Sequence, residues 1–362
     1  MPALFKPPTP AQVAAHFDRD FQKSQAAGRG PAQVRVYSQT LGVDYTFPAG
    51  SGGQPYHIAS VGKVFTAVLV RRLAERGQLD LAGPAAQYLP ADVLERLFVV
   101  RGRDYAGQVT LAHLLNHTSG AADYFEGGSA DGRTFLAGVL AQPERRWTPR
   151  QLLDYTRDHQ AAVGAPGQVF NYSDTGYLLL GLVVEAVTGK PFAQNLADEF
   201  FRPLAMRDSY LLFGGEPART PRPALEKIWF NGVEISGYES LSCDWAGGGI
   251  VATTDDLLRF SRALRAGQLL RPDSLAAMEA CPHKFRPGLY YGSGLMEVRF
   301  GEFFFLLGGL PKLKGHIGIL ATHLFYDAGR DAHIILNFGA NTLMEASFRA
   351  LIEIETALQR LR

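Results

Sequence analysis

A serine and a lysine three residues apart, Ser60 and Lys63, are the residues of this sequence whose types and spacing most directly suggest chemistry. Side chains three apart on a helix lie on the same face, so the hydroxyl and the amine would be neighbours. A serine hydroxyl is a weak nucleophile until a nearby group accepts its proton, and an amine can help to do so. Residues 64–70 are almost all apolar, which indicates a buried helix. Burial favours the neutral form of a lysine.

The pair alone does not establish catalysis. A chain of 362 residues contains on the order of one Ser-x-x-Lys pair by chance. Ser60 could instead cap the helix, which is a common role of serine. Two further motifs decide between these interpretations.

The second motif is Tyr172, in the segment FNYSDTGY at residues 170–177, just before a strongly apolar helix. The junction between a loop and a helix is a rigid place for a functional side chain. A tyrosine beside a cationic lysine can act as a general base. Taken alone, the segment is explained as well by a packed tyrosine with Asp174 capping the helix.

The third motif is KGHIGI at residues 314–319, at the start of an apolar strand. Gly318 would let a substrate approach the backbone closely. The next N–H group, that of Ile319, could then help to bind an oxyanion. Taken alone, the segment is a turn with an exposed His316. The chain has one Ser-x-x-Lys, one Tyr-x-Asp and one His-x-Gly, which favours a joint origin over chance.

In this order the three motifs resemble the serine β-lactamase and penicillin-binding protein family. The most similar branch contains class C β-lactamases, D,D-peptidases and family VIII esterases. Three longer segments carry the same resemblance, which covers about residues 30–350: PYHIASVGK at 55–63, LLNHTSG at 114–120 and GGGIVATTDDL at 247–257.

The resemblance implies a role for each residue of the three motifs. Ser60 would be the nucleophile, and Lys63 and Tyr172 would exchange its proton. The N–H groups of Ser60 and Ile319 would form the oxyanion hole. The side chains or backbone expected to bind substrate are those of Asp174, His316 and Gly318.

Two positions depart from the family pattern. Asp174 stands where the family usually has Asn, and a carboxylate accepts hydrogen bonds but does not donate them. It would pair with Lys63 and repel anionic substrates. His316 stands where β-lactamases have a lysine, and a histidine is a weaker anchor for a carboxylate. Both changes favour esters or neutral amides over acidic β-lactams.

We therefore predict a serine hydrolase that acts through an acyl-enzyme on small esters or amides. The alternatives are a D,D-peptidase, a D-aminopeptidase or a β-lactamase, and, from other classes, a catalytically weak penicillin-binding or sensor module or a scaffold. Lys63 and Tyr172 would titrate as a coupled pair, so the formal base stays open. The expected partner is a small ester, amide or β-lactam, and no metal or organic cofactor is implied.

Composition gives further expectations about partners, disulfides and location in the cell. The chain is 46% hydrophobic and 20% charged with a net charge of +1, so neither nucleic acid nor an anionic membrane is expected as partner. The two cysteines form no disulfide framework. No apolar signal segment begins the sequence, which favours a cytoplasmic protein. The oligomeric state is left open.

Two other patterns mimic known sites. His113 and His117 have the spacing of metal ligands on a helix, but no third ligand is in view, so we expect structural roles. Gly247-x-Gly249-x-x-Ala252 mimics a dinucleotide fingerprint. It follows no convincing strand, so we expect close backbone packing or a turn instead.

The elements that must position these residues follow from periodicity. Short apolar and aromatic runs predict strands at both ends of the chain, at residues 33–37, 43–47, 294–300, 303–307, 316–326 and 332–338. Residues 341–362 predict a terminal helix, and the middle of the chain is mostly helical. We predict an α/β (α+β) fold of the β-lactamase/transpeptidase type, an antiparallel sheet flanked by N- and C-terminal helices. Residues 1–80 and 235–362 would form its α/β domain, and residues 81–234 an inserted helical domain.

Overall fold

A computed structural model describes residues 7–129, 132, 134–220 and 222–361. Its strands are, in chain order, β1 (Gln33–Ser38), β2 (Val43–Phe47), β3 (Tyr56–His57), β4 (Val99–Val100), β5 (Arg103–Asp104), β6 (Tyr210–Leu211), β7 (Trp229–Phe230), β8 (Val233–Glu234), β9 (Ile250–Ala252), β10 (His283–Arg286), β11 (Leu289–Tyr291), β12 (Met296–Val298), β13 (Leu313–Gly318), β14 (Thr322–Asp327) and β15 (Ala332–Asn337).

The described residues also form twelve α-helices, most of them in the middle of the chain. They are α1 (Pro10–Ala26), α2 (Gly62–Glu75), α3 (Ala91–Leu94), α4 (Leu111–Leu115), α5 (Phe135–Ala141), α6 (Pro149–His159), α7 (Asp174–Thr188), α8 (Phe192–Leu196), α9 (Trp245–Gly248), α10 (Thr254–Arg265), α11 (Pro272–Glu279) and α12 (Met344–Leu358).

An eight-stranded antiparallel sheet joins the two ends of the chain, in the order β10-β11-β12-β13-β14-β15-β1-β2. Alternate residues of a strand face opposite sides of the sheet. In β15, Ile334 and Leu336 therefore pack with the terminal helices α1 and α12, whereas Ile335 packs on the opposite face with α2 and α10. Both faces are covered, which explains why the strand is buried along its whole length.

A layer of helices lies against the face of the sheet that carries Ile335. Its centre is α7, which packs against α2, α4 and α9. Both α2 and α7 are buried along most of their length, as their continuous apolar sequences predict. Because α2 and α7 are neighbours, the residues at their N-terminal ends come together.

The predicted fold class is confirmed: an antiparallel sheet carries terminal helices, and the middle of the chain is mostly helical. The limits of the two domains stay a prediction. No single helix in the described part of the chain is long and apolar enough to cross a membrane, although α7 and the following Phe192–Phe201 reach that length as a pair bent by 80°.

Two predicted strands were wrong. Residues 303–307 form no strand: the 3-10 turn Phe300–Glu302 precedes them, and the 3-10 turn Phe305–Leu307 lies within them. A run of five large apolar residues lacks the alternation of a strand with one buried face. Residues 316–326 are two strands rather than one. β13 ends at Gly318 and β14 begins at Thr322, and the turn between them contains Ala321 with φ of 54°.

Candidate active site

Ser60 lies in a strained turn just before α2. The turn is a 3-10 helix, Ala59–Val61, and Ala59 has a φ of 49°, which side chains with a Cβ rarely adopt. Two side chains hold it. The N–H of Ala59 donates to Nδ1 of His57 at 3.2 Å, and the Thr322 hydroxyl donates to the carbonyl of Ile58 at 2.9 Å. Strain that is held in place by its surroundings is a common feature of functional sites.

Lys63 extends from the first turn of α2 and is completely buried. Its Nζ lies 3.1 Å from Ser60 Oγ, 2.6 Å from Asp174 Oδ1 and 2.9 Å from the carbonyl of Gly247. The ion pair with Asp174 compensates a charge that would otherwise be costly to bury. The sequence therefore predicted the Ser60–Lys63 contact correctly.

Tyr172 completes the contact with the nucleophile. Its hydroxyl interacts with the Ser60 side chain, which partly offsets the rise of the Tyr172 pKa, and its ring centroid lies 5.0 Å from Lys63 Nζ. The ring of His117 packs against it with centroids 4.3 Å apart. Burial, and then the negative charge of Asp174, raises the pKa of Tyr172 well above its usual value. The resting side chain is therefore a phenol.

Asp174 is the first residue of α7, and its carboxylate faces Lys63 rather than the open pocket described below. Its N–H donates to Oδ1 of Asp123 at 2.9 Å. Asp123 also accepts from the N–H groups of Phe125 and Glu126. Burial, and then the charge of Asp174, raises the pKa of Asp123 to about 7. The carboxyl groups of Asp174 and Asp123 therefore lie close together at the bottom of the site.

His316 is fully buried on β13 instead of being exposed. Its Nδ1 lies 2.6 Å from the carbonyl of Ile317, and its Nε2 has no partner among the described residues. Burial, and then the charge of Lys63, lowers the pKa of His316 to about 3, so the ring is neutral at neutral pH. It supplies no positive charge to a substrate carboxylate.

Gly318 lies where no side chain fits. A Cβ there would approach Thr322 Oγ1 to 2.3 Å, the Cβ of Ala59 to 2.7 Å and the carbonyl of Ile58 to 2.8 Å. The end of β13 is therefore in close contact with the turn that carries the nucleophile. Ser60, Gly318 and Ile319 all line the same pocket. The role of Ser60 and Ile319 N–H groups as an oxyanion hole stays a prediction.

The pocket over Ser60 has a volume of about 770 Å³, within the usual range for small-molecule sites. Most of its walls are apolar and come from separate parts of the chain, including Phe125, Leu140, Phe230 and Met344. Sequence analysis did not identify these residues, because they share no motif and only the fold brings them together.

The glycine-rich segment at 247–249 is close backbone packing, as predicted. A Cβ on Gly247 would lie 2.2 Å from Asp174 Oδ1, and one on Gly248 would lie 2.9 Å from the carbonyl carbon of Ala59. The segment also provides the Gly247 carbonyl that binds Lys63. The glycine pattern alone could have indicated a close approach, but not what approached.

His113 and His117 have separate structural contacts. The His113 ring accepts from the N–H of Thr110 and completes a helix cap, and Nδ1 of His117 accepts from the N–H of Ser173. Within the described residues, the group with metal-ligand geometry is His16, Asp20 and Glu353. It joins the terminal helices, and none of the three lines the pocket over Ser60.

A buried pair beneath the nucleophile was also missed. Nε2 of His57 lies 3.4 Å from Oδ2 of Asp244. Burial lowers the pKa of His57 to about 4, and burial together with the charge of Asp174 raises the pKa of Asp244 to about 7. A neutral His57 can accept from the N–H of Ala59 and keep the Ser60 turn in place. No local sequence pattern pairs residues so far apart.

The fold and the site define a class of proteins. The D-amino acid amidase of Ochrobactrum anthropi SV3, crystallised with L-phenylalanine, superimposes with a TM-score of 0.77 over 96% of this chain and 98% of its own, at 22% identity. That similarity confirms the β-lactamase/transpeptidase-like fold. Residues 46–354 match the Beta-lactamase family, and the protein belongs to that family. The resemblance seen in the three motifs is thus confirmed.

Two relatives show how varied the family is. Penicillin-binding protein 4 of Amycolatopsis lactamdurans is 31% identical in an alignment 240 residues long that covers 62% of this chain and 54% of the relative. Esterase EstB of Burkholderia gladioli is 28% identical in an alignment 314 residues long that covers 74% of this chain and 74% of the relative. This chain spans about half the length of the first relative and three quarters of the second.

Proposed function

We propose that this protein is a serine hydrolase that forms an acyl-enzyme on Ser60 and acts on esters or neutral amides. The observation that carries the proposal is the contact of Lys63 Nζ with Ser60 Oγ at 3.1 Å, made by an amine that is itself fully buried and also hydrogen-bonded to Asp174 and Gly247. A nucleophile with a basic group in hydrogen-bond reach, oriented by a third group, is the arrangement that activates serine. Asp174 is that third group.

The hydrogen bonds of Lys63 suit proton exchange. Asp174 Oδ1 and the Gly247 carbonyl can only accept, so each takes one N–H of Lys63. In the neutral amine the lone pair is then left for the Ser60 proton. In the ammonium form the third N–H donates to Ser60 Oγ. The same geometry therefore serves before and after the proton moves.

Acylation then follows in balanced steps. In the reactive state one member of the Lys63–Tyr172 pair lacks its proton, as the neutral amine or the phenolate. Ser60 Oγ bonds to the substrate carbonyl carbon, the carbonyl π electrons move to its oxygen, and that deprotonated member takes the Ser60 proton. When the carbonyl reforms, the bond to the leaving group breaks and the leaving group takes that proton. Water attacks the acyl-enzyme in the same way and releases Ser60. Lys63 and Tyr172 act as one coupled unit.

The oxyanion is assigned to the N–H groups of Ser60 and Ile319. Two observations support this assignment. Ser60 and Ile319 both line the pocket, and the close contact of Gly318 with the turn of Ser60 keeps the two residues near each other. Each such donor typically contributes about 3 kcal/mol to a transition state.

Neutral substrates are favoured by the charges around the site. His316 is neutral because of its lowered pKa, so it does not anchor an anion. Asp174 adds a carboxylate, although its pairing with Lys63 weakens any repulsion. The exposed Arg286 is balanced by Glu126 among the described pocket residues. β-Lactams, which carry a carboxylate, are thus the second class of substrate to test.

The test is a panel of substrates with the protein and its Ser60→Ala variant. We expect p-nitrophenyl acetate to be hydrolysed with a kcat/KM well above that for nitrocefin, and Ser60→Ala to remove turnover by several orders of magnitude. D-amino acid amides form the third arm. Turnover that survives in Ser60→Ala would overturn the proposal, and a single burst of product without further turnover would indicate a sensor instead.

A further inference from the structure

The pocket over Ser60 is much larger than a short acyl group requires. Its volume of about 770 Å³ lies in the upper half of the range of ~300–1,000 Å³ that is usual for small-molecule sites, and an acetyl group would fill only a small part of it. The described lining contains two charged side chains, Glu126 and Arg286, and its other walls are mainly aliphatic and aromatic. Water in such a pocket is readily displaced by an apolar group.

An exposed apolar run continues from this pocket. Phe303 lines it, and Phe304, Phe305 and Leu306 follow with 52%, 76% and 69% of their surface exposed. These three residues, which we call the apolar lip, belong to the connection between β12 and β13. Contiguous exposed apolar residues are uncommon in water and mark binding sites. Because these residues directly follow Phe303, which lines the pocket, the molecule they bind is expected to be the substrate in that pocket.

We propose that the substrate carries an extended apolar chain, aliphatic or aromatic, that fills the pocket over Ser60 and extends onto the apolar lip. The chemical class is an ester or amide of a medium-chain or longer fatty or arylalkyl group. This inference rests on the proposed hydrolase function and adds the substrate class to it. Contact of the chain with Phe303 places the scissile carbonyl near Ser60 and the chain end near solvent.

The first experiment is a series of p-nitrophenyl esters from acetate to decanoate below their micelle concentrations. Each methylene removed from water raises kcat/KM about fourfold, the factor that corresponds to ~0.8 kcal/mol. Because the pocket is open and does not surround the whole chain, we expect kcat/KM to rise by at least about tenfold between the acetate and the octanoate, less than full burial would give. A flat or falling profile would overturn the inference.

The second experiment fills the pocket. Ala137 on α5 lines it, and Ala137→Trp would occupy space meant for the chain. Gly138→Trp is the matched control, because a Cβ on Gly138 meets nothing within 4 Å and Gly138 is not among the described lining residues. We expect Ala137→Trp to lower the octanoate-to-acetate ratio of kcat/KM about tenfold, and Gly138→Trp to keep it. Equal ratios in both variants would contradict the inference.

The third experiment tests the apolar lip with the double variant Phe305→Ser, Leu306→Ser. These side chains are exposed, so folding should be preserved. We expect the decanoate-to-acetate ratio of kcat/KM to fall several-fold, whereas Val99→Ser, at an exposed position of β4, keeps the ratio.

Labelling of Ser60 by a fluorophosphonate separates the substrate-class proposal from the hydrolase proposal. If Ser60 is labelled but the ratios do not respond, only the substrate class is wrong; if Ser60 is not labelled, the hydrolase itself is wrong.

Discussion

The two sides of Ser60 differ in almost every physical property. On one side the buried amine of Lys63 is hydrogen-bonded to Ser60, to Asp174 and to the Gly247 carbonyl. On the other side an open pocket of about 770 Å³ has mostly apolar walls. The polar side can move a proton because its geometry is fixed, and the pocket side can accept different chains because its contacts are non-directional.

This difference predicts how variants should behave. A change on the polar side alters the free energy of the transition state and lowers kcat. A change on the pocket side alters the fit of the substrate and acts mainly on KM and on the choice of chain. The four predictions below test that division, from the largest expected effect to the smallest.

Replacing Lys63 should have the largest effect. Lys63→Met keeps the apolar stem but removes the amine, so we expect kcat/KM to fall by about three orders of magnitude or more. The variant also leaves the carboxylate of Asp174 buried and unpaired, which costs about 3–5 kcal/mol of stability. Ester hydrolysis and thermal unfolding measure the two effects.

A double variant separates activity from folding. Lys63→Met with Asp174→Asn removes both charges, so stability should recover while activity stays lost. On the pocket side, Met344→Ala should cost less than about tenfold in kcat/KM, mostly through KM. Activity that returned with stability in the double variant would refute a chemical role for Lys63.

Removing the Tyr172 hydroxyl should have the second largest effect. Tyr172→Phe keeps the ring packed on His117 and removes the hydroxyl that interacts with Ser60, so kcat should fall about 10²–10⁴-fold. Tyr291→Phe is the control, because its hydroxyl pairs with that of Tyr177 at 3.1 Å. We expect less than about a threefold change there. Equal losses in both variants would assign Tyr172 to packing alone.

Gly318→Ala should have an intermediate effect on activity. The new Cβ would displace Thr322 Oγ1, which holds the turn of Ser60, and the Cβ of Ala59 within that turn. A small misplacement of the nucleophile costs about 100-fold in kcat. Gly107→Ala, where a Cβ meets nothing within 4 Å, should match the unmodified protein in both kcat and melting temperature. A fully active Gly318→Ala variant would mean that this close contact does not position Ser60.

The smallest effect concerns pH-dependent stability. The pKa of Asp244 is about 7 in the folded protein, above its unfolded value of 3.8. The folded state thus retains a proton that the unfolded state has lost, and the free energy of unfolding falls as pH rises from about 4 to about 7. Asp244→Asn removes this contribution, so the change in stability between pH 5 and pH 8 should differ from that of the unmodified protein by about 1–3 kcal/mol.

Chemical denaturation at both pH values measures that difference. Asp104→Asn, on the exposed strand β5, is the charge control and should retain the pH dependence of the unmodified protein. Leu140→Ala, on the pocket side, should lower stability equally at pH 5 and pH 8. If Asp244→Asn shifts stability equally at both values, the Asp244 carboxyl is ionised over the whole range.

The contrast between the polar side and the pocket side of Ser60 also explains which residues could be predicted from the sequence. The polar side is built from three short motifs, so Ser60, Lys63 and Tyr172 were identifiable before the fold was known. The burial of His316 was not, because it depends on strands that pair only in the sheet. The pocket was also invisible, since its walls come from α5, β7 and α12. The apolar run at 303–307 was misassigned as a strand because composition alone does not show whether an apolar run pairs with a neighbouring strand.

The most direct measurement of the central claim is covalent labelling with a fluorophosphonate, followed by peptide mass spectrometry. The reagent phosphonylates a serine only where a nearby group removes its proton. We predict one adduct per chain, on Ser60, and a rate at least about 100-fold lower in Lys63→Met. An adduct on any other residue, or equal rates in the two proteins, would contradict the account.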